Sequence, residues 1–216
     1  MPVVTLDARG YRGEPVPNRL IRQRDGASHL AILLPGRGYT VDMPLLYYPR
    51  TYLIDQGADV LLVEYNYTRD EHASLPPDDL RAWLNTDVDV VVDAALAGRD
   101  YSRITLIGKS LGTYAMAHLL ATDIRLRDAA CLWLTPIIHD QAVYQWMSRP
   151  HRALFVIGTR DPLYDAGLIQ DAAHKSGGVS VVVDDADHGL SIERDMLASV
   201  RALETVMQVA QEFLKG

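Results

Sequence analysis

Ile104-Thr105-Leu106-Ile107-Gly108-Lys109-Ser110-Leu111-Gly112-Thr113-Tyr114-Ala115-Met116-Ala117-His118-Leu119-Leu120 joins an apolar, β-branched run to a run of helix formers. The first part predicts a buried strand, and the part from Thr113 onward predicts a helix. G-x-S-x-G at such a junction marks a sharp turn that lifts a serine hydroxyl above the end of a sheet. Both glycines have a steric reason: where strand and helix nearly touch, neighbouring side chains would collide. Ser110 is therefore the candidate nucleophile.

Outward from this junction, short apolar runs alternate with longer amphipathic ones. Residues 30–34 read as a strand ended by Pro35-Gly36-Arg37-Gly38, residues 45–56 as a helix closed by Gly57, and residues 58–65 as the next strand. Residues 77–96 place Leu80, Trp83, Leu84, Val88, Val91, Val92 and Ala95 at helical spacing. Further strands are predicted near 104–107, 129–135, 153–158 and 179–183. The last segment puts Ile192, Met196, Leu197, Val200, Leu203, Val206, Met207, Ala210 and Phe213 on one helical face. Stretches near 3–6 and 19–24 could add edge strands. The alternation implies an α/β fold with a mostly parallel sheet and helices on both faces, formed by one domain over residues 1–216.

Composition bounds the function. A hydrophobic content of 48% and a charged content of 23% are ordinary globular values. The net charge of −7 comes without any Lys/Arg stripe, so no nucleic-acid footprint is expected. Cys131 is the only cysteine and lies in an apolar run, which reads as a buried core thiol. The first residues lack a basic stretch followed by a long apolar one, and no segment reaches the roughly 18 apolar residues of a membrane span. A cytoplasmic protein that is monomeric or homodimeric and has no membrane partner is expected.

A serine hydroxyl is a weak nucleophile at neutral pH and needs a histidine oriented by a carboxylate. In open α/β sheets such groups sit beyond the carboxyl ends of strands. His188 leaves the strand at 179–183, and Asp161 leaves the strand at 153–158. His118 falls inside a helix, His174 ends one, His29 precedes its strand, and His72 and His151 lie in polar connections. His139 is the rival base and Asp140 the rival acid, whereas Asp187 suits a turn. The oxyanion of an acyl-transfer reaction needs N–H donors. The Leu111 amide at a helix N-terminus and the Arg37 amide in the glycine loop are the candidates, with Gly38 or Tyr39 as alternatives to Arg37. Gly36, Gly38, Tyr39 and Trp146 are candidate substrate contacts, and Tyr164 is a further possible boundary of the site.

On these residues the chain resembles the α/β-hydrolases over essentially its whole length. Ser110, Asp161 and His188 occur in that family's chain order of nucleophile, acid and base, each after a strand. The resemblance implies about eight strands, with Ser110 after the fifth, Asp161 after the seventh and His188 after the eighth. Among branches, it is most similar to the dienelactone-hydrolase-like and KANSL3/Tex30-like members. Where many relatives carry His-Gly-x-Gly, this chain has Pro35-Gly36-Arg37-Gly38.

Competing motifs fail. A phosphate-binding loop would need Gly at position 103, which is Arg103, and a dinucleotide fingerprint would need Gly at 41, which is Val41. No metal signature is present, so no cofactor or metal is expected. Only residues 138–150 separate the sixth strand from the next, too few for a cap domain. An open cleft for small or short-chain esters is expected. A thioesterase or small peptidase using the same triad is an alternative, as is a non-catalytic binding protein of the same fold.

Overall fold

The structure is a computed structural model that describes residues 1–65, 67 and 75–215; His72 lies outside them. Eight strands form one sheet: β1 (Val3–Val4), β2 (Asn18–Ile21), β3 (His29–Leu34), β4 (Asp59–Val63), β5 (Arg103–Lys109), β6 (Ala130–Leu134), β7 (Ala153–Gly158) and β8 (Val179–Val183). Their order across the sheet is β1-β2-β4-β3-β5-β6-β7-β8. β1 and β2 pair antiparallel, and every pairing from β4 through β8 is parallel. Among the described residues five α-helices connect the strands, α1 (Pro44–Asp55), α2 (Pro77–Ala97), α3 (Leu111–Thr122), α4 (Gln141–Met147) and α5 (Ala166–Ser176), and a sixth, α6 (Met196–Lys215), follows β8. This is the α/β-hydrolase fold, and the seven-residue α4 is the one helix between β6 and β7, with no cap domain.

Strand residues alternate between two cores, as the period of two requires. Leu30, Ile32 and Leu34 of β3 face the core under α2 and α3, while Ala31 and Leu33 face the one under α1 and α6. In β6, Cys131 and Trp133 face the first core, and Leu132 and Leu134 face the second. Cys131 is fully buried, and burial pushes its thiol pKa up. The helices cover both faces, so the inner strands read as continuous apolar runs. β8 lies at the edge and leaves Val179 56% exposed.

The final helix differs from its sequence pattern. Met196, Leu197 and Val200 are 76%, 59% and 58% exposed, and burial begins at Ala202, continuing through Val206, Ala210 and Leu214. Ile192 precedes the helix and bridges Ala186 instead. Helical spacing fixes which side of the cylinder is apolar, but not where along it the sheet ends. The Asp195 carboxylate accepts a hydrogen bond from Ala198 N at 2.8 Å and so caps the helix at this point.

Two local devices fasten opposite ends of the sheet. The carboxylate of Asp59, fully buried at the start of β4, accepts hydrogen bonds from Gln23 N (2.7 Å), Arg99 (2.7 Å) and Tyr101 (2.8 Å). At the other end, β3 and β5 pair in register so that Leu34 stands opposite Gly108. The chain then turns into α3 so tightly that a Cβ on Gly112 would lie 1.9 Å from the Leu34 carbonyl oxygen.

Two outcomes follow from these contacts. Gly112→Ala forces β3 and α3 apart and should lower the unfolding free energy by about 3 kcal/mol, the upper end of overpacking costs, read from denaturant midpoints. His29 Nε2 lies 2.9 Å from Thr105 Oγ1, and desolvation, with Arg103 and Arg152 nearby, pushes its pKa down to about 4 from 6.5. The unfolded chain then binds more protons in that interval, so this contribution is full above pH 6.5 and is lost as pH falls toward 4. Unfolding midpoints of His29→Asn should depend less steeply on pH over that window than those of the unsubstituted protein.

Candidate active site

The site forms at the carboxyl ends of β3, β5, β7 and β8, where the strand order reverses direction between β3 and β5. Ser110 stands between β5 and α3 with φ 50° and ψ −113°, a backbone state unusual for a residue with a side chain. Such strain costs on the order of 1–3 kcal/mol and persists only where its surroundings enforce it. Here they do: Ser110 N donates to Leu134 O at 2.9 Å, and the Ser110 carbonyl accepts from Thr113 N (2.8 Å) and Thr113 Oγ1 (2.6 Å). A Cβ on Gly108 would stand 2.3 Å from Met116 Sδ, so neither elbow glycine tolerates a side chain.

The loops after β7 and β8 are bound to each other. Thr159 N donates to Val183 O (2.9 Å), Arg160 N to Ala186 O (2.9 Å), and Asp185 N to Thr159 Oγ1 (2.8 Å). A Cβ on Gly158 would come within 2.1 Å of Ala186 O, so the two loops leave the sheet in close contact. This brings Asp161 and His188 together: His188 Nδ1 lies 2.7 Å from Asp161 Oδ2, and His188 Nε2 lies 2.9 Å from Ser110 Oγ. The ionised carboxylate only accepts, so Nδ1 carries the hydrogen and Nε2 turns its lone pair to the serine hydroxyl. The Asp161 side chain is fully buried, and its second oxygen accepts from Leu163 N at 2.9 Å. The His188 side chain is 35% exposed.

The rival residues have other work. Asp140 caps α4, accepting from Ala142 N (3.0 Å) and Val143 N (3.1 Å), and also from Tyr114 OH at 3.0 Å. His139 is exposed. Asp187 holds the turn that presents His188, accepting from Gly189 N (2.7 Å) and Ser191 N (3.0 Å). His118 pairs with Asp89 at 2.8 Å, and His151 Nδ1 lies 2.6 Å from Arg149 O.

The glycine loop packs onto the elbow. A Cβ on Gly36 would meet Ser110 Cβ at 3.3 Å. Tyr39 N donates to Gly36 O at 3.2 Å, and Gly38 has φ +70°, closing a turn whose third residue needs a positive φ. That bond uses the Tyr39 amide. Among the described residues the amides of Arg37 and Gly38 have no main-chain partner. Leu111 opens α3, so its amide is one of the N–H groups that a helix leaves unpaired at its first turn.

A cleft of about 500 Å³ lies beside this loop, lined by Gly36, Gly38, Tyr39, Asp42, Glu64 and Tyr65 among others. Its walls carry two carboxylates, Asp42 and Glu64. Asp42 and Glu64 are both tied to Arg19, at 3.3 Å and 2.9 Å, and Asp42 also accepts from Arg50 at 2.6 Å. Trp146 is not part of this cleft. It lies near the far end of α4, stacked under Arg149 at 4.1 Å, beside Leu120 and His151 at the amino-terminal edge of the sheet. Trp146 stands six residues, nearly two helical turns, beyond the cap at Asp140. Tyr164 packs against the core under α2 and α3.

Two neighbours of the site escaped the sequence reading. Tyr65 donates its hydroxyl hydrogen to Pro35 O at 2.8 Å and stacks on Tyr67, which donates to the buried carboxylate of Asp87 at 2.7 Å. This chain of contacts fixes the entry to the glycine loop. Lys109 is the other; a lysine closing an otherwise apolar strand was a visible signal.

The comparisons agree with this architecture. No curated protein matches the sequence. Among solved structures, an esterase from Pyrococcus furiosus is similar at 15% identity, with 99% of this chain and 92% of that one covered and a TM-score of 0.70. A serine hydrolase from Xanthomonas campestris, described as lacking a lid, is 15% identical over 99% and 93% of the two chains, with a TM-score of 0.68. A dienelactone hydrolase from Anabaena variabilis is 17% identical over 97% and 95%, with a TM-score of 0.65. At such identities the likeness is one of fold. A model of the alpha/beta hydrolase domain matches residues 27–215, and the chain belongs to that family.

Proposed function

We propose that the protein is a serine hydrolase that cleaves small carboxylic esters through an acyl-enzyme. The observation that carries this reading is the pair of hydrogen bonds running Asp161–His188–Ser110, at 2.7 and 2.9 Å. In the reaction, His188 Nε2 takes the proton of Ser110 as Oγ attacks the ester carbonyl. Asp161 holds the imidazole in the tautomer that leaves Nε2 free and stabilises the imidazolium once it forms. The amides of Leu111 and Arg37 receive the negative charge on the carbonyl oxygen, the first helped by the α3 dipole. The C–O bond to the alcohol breaks as His188 returns the proton to the leaving oxygen. Water, deprotonated by the same imidazole, then hydrolyses the acyl-serine and restores the free hydroxyl.

The surroundings support this substrate class. A cleft of about 500 Å³ beside a site without a cap domain suits a short acyl or alcohol group rather than a long chain. The esterase and serine hydrolase folds among the similar structures support the reaction class.

Treatment with a fluorophosphonate followed by intact mass should give a single adduct on the unsubstituted protein and none on Ser110→Ala. Across p-nitrophenyl esters, kcat/KM should be highest for acetate to butyrate and fall toward decanoate. An unlabelled folded protein would overturn the mechanism, and a maximum at the longest chains would overturn the substrate class. Asp161→Asn removes the acceptor that fixes the tautomer, and kcat should fall on the order of 10⁴-fold with the unfolding midpoint little changed. Retention of kcat within a factor of ten would place the orienting group elsewhere.

A further inference from the structure

We propose that Lys109 is a positioning residue for the Ser110–His188 pair, locking the elbow, the glycine loop and the histidine loop into one register. This rests on the serine-hydrolase reading above. Lys109 precedes the nucleophile, is 3% exposed, and so cannot meet substrate directly. Its side chain crosses the floor of the site. A Cβ on Gly36 would lie 3.2 Å from Lys109 Cδ, so the aliphatic stem runs directly beneath the glycine loop. The ammonium then reaches the loop after β8, where Nζ donates to His188 O at 3.0 Å. It also stands 5.0 Å from the centroid of the Tyr39 ring, a cation–π distance. From the position next to Ser110, one side chain thus reaches the glycine loop at Gly36 and Tyr39 and the main chain of His188.

These contacts are a poor way to stabilise a fold. An ammonium has three donors, and among the described residues the His188 carbonyl is its one hydrogen-bond partner. The charged or titratable groups facing it are Tyr39 from the loop after β3, Asp161 from the loop after β7, and Asp187 and His188 from the loop after β8. Neither carboxylate pairs with it. Asp161 is committed to His188 and Leu163 N, and Asp187 Oδ1 to Gly189 N and Ser191 N. Burial therefore pushes the Lys109 pKa down to about 8 from 10.5. Because the unfolded chain holds that proton more tightly, stability is lower below pH 8 and rises between about 8 and 10.5. An apolar residue of similar length would relieve this cost. What it could not do is hold the His188 main chain by a charge-assisted bond while packing under Gly36.

Lys109→Met separates the two roles. The variant should unfold at an equal or higher temperature at pH 7, while kcat falls on the order of 10²-fold, the cost of an ångström-scale misplacement, with KM little changed. In the unsubstituted protein kcat should decline as pH rises through about 8, where the ammonium loses its charge, and that limb should be absent from the variant. A Lys109→Met protein with unsubstituted kcat would overturn the proposal. Should the variant not fold, a kcat for the unsubstituted protein that stays flat from pH 7 to 10 would overturn it instead. Fluorophosphonate labelling of the unsubstituted protein distinguishes the failures: without labelling or turnover the hydrolase reading fails, whereas with both only the role of Lys109 is lost.

Discussion

Where β3 ends and α3 begins, two pieces of main chain lie closer than any side chain permits, with the Leu34 carbonyl oxygen 1.9 Å from where a Cβ on Gly112 would stand. Much of the site depends on this approach. It forces the chain to leave β5 through a positive φ at Ser110, which throws the hydroxyl clear of the sheet. It also brings the glycine loop after β3 against the elbow, with a Cβ on Gly36 only 3.3 Å from Ser110 Cβ. The parallel register of β3 against β5 sets the height at which they meet. The core beneath supplies the rigidity: Leu34, Met116 and Trp133 are completely buried around the turn.

A second close approach builds the other half of the site. Gly158 lies under the Ala186 carbonyl, and three hydrogen bonds join the loops after β7 and β8. The edge strand β8 is half exposed and contributes little core, yet its loop delivers His188. Hydrogen bonds to the loop after the fully buried β7 fasten the loop of this marginal strand. The turn made by Asp187 and the ammonium of Lys109 act on the same segment from its other sides. Positional accuracy at the histidine is thus supplied by neighbours rather than by its own strand.

Much of this was legible in the chain. Gly108 and Gly112 announced the elbow because steric exclusion leaves a trace in residue type, and β7 and β8 stand at 153–158 and 179–183 because Gly158 and Gly177 punctuate them. The side chains of Ser110, Asp161 and His188, which follow β5, β7 and β8, meet in one hydrogen-bonded row. What pattern alone missed depends on distance through space. Tyr65 on Pro35, Lys109 on His188 and Asp59 with Arg99 join residues 30 to 79 positions apart, and no local periodicity records such pairs. Trp146 misled because aromatic character near a predicted site says nothing about which end of a short helix it occupies. Met196, Leu197 and Val200 share the apolar side of α6 but stand where no sheet covers them.

The proposed acyl transfer requires the strained turn at Ser110 and the glycine loop together to receive a tetrahedral oxyanion. The direct measurement is a crystal structure of the protein after reaction with a small alkyl fluorophosphonate, whose phosphonyl oxygen occupies the position of that oxyanion. Phosphorus should be bonded to Ser110 Oγ, with the phosphonyl oxygen about 2.7–3.1 Å from the amide nitrogens of Leu111 and Arg37. A phosphonate on another residue, or a phosphonyl oxygen turned away from both amides, would contradict it.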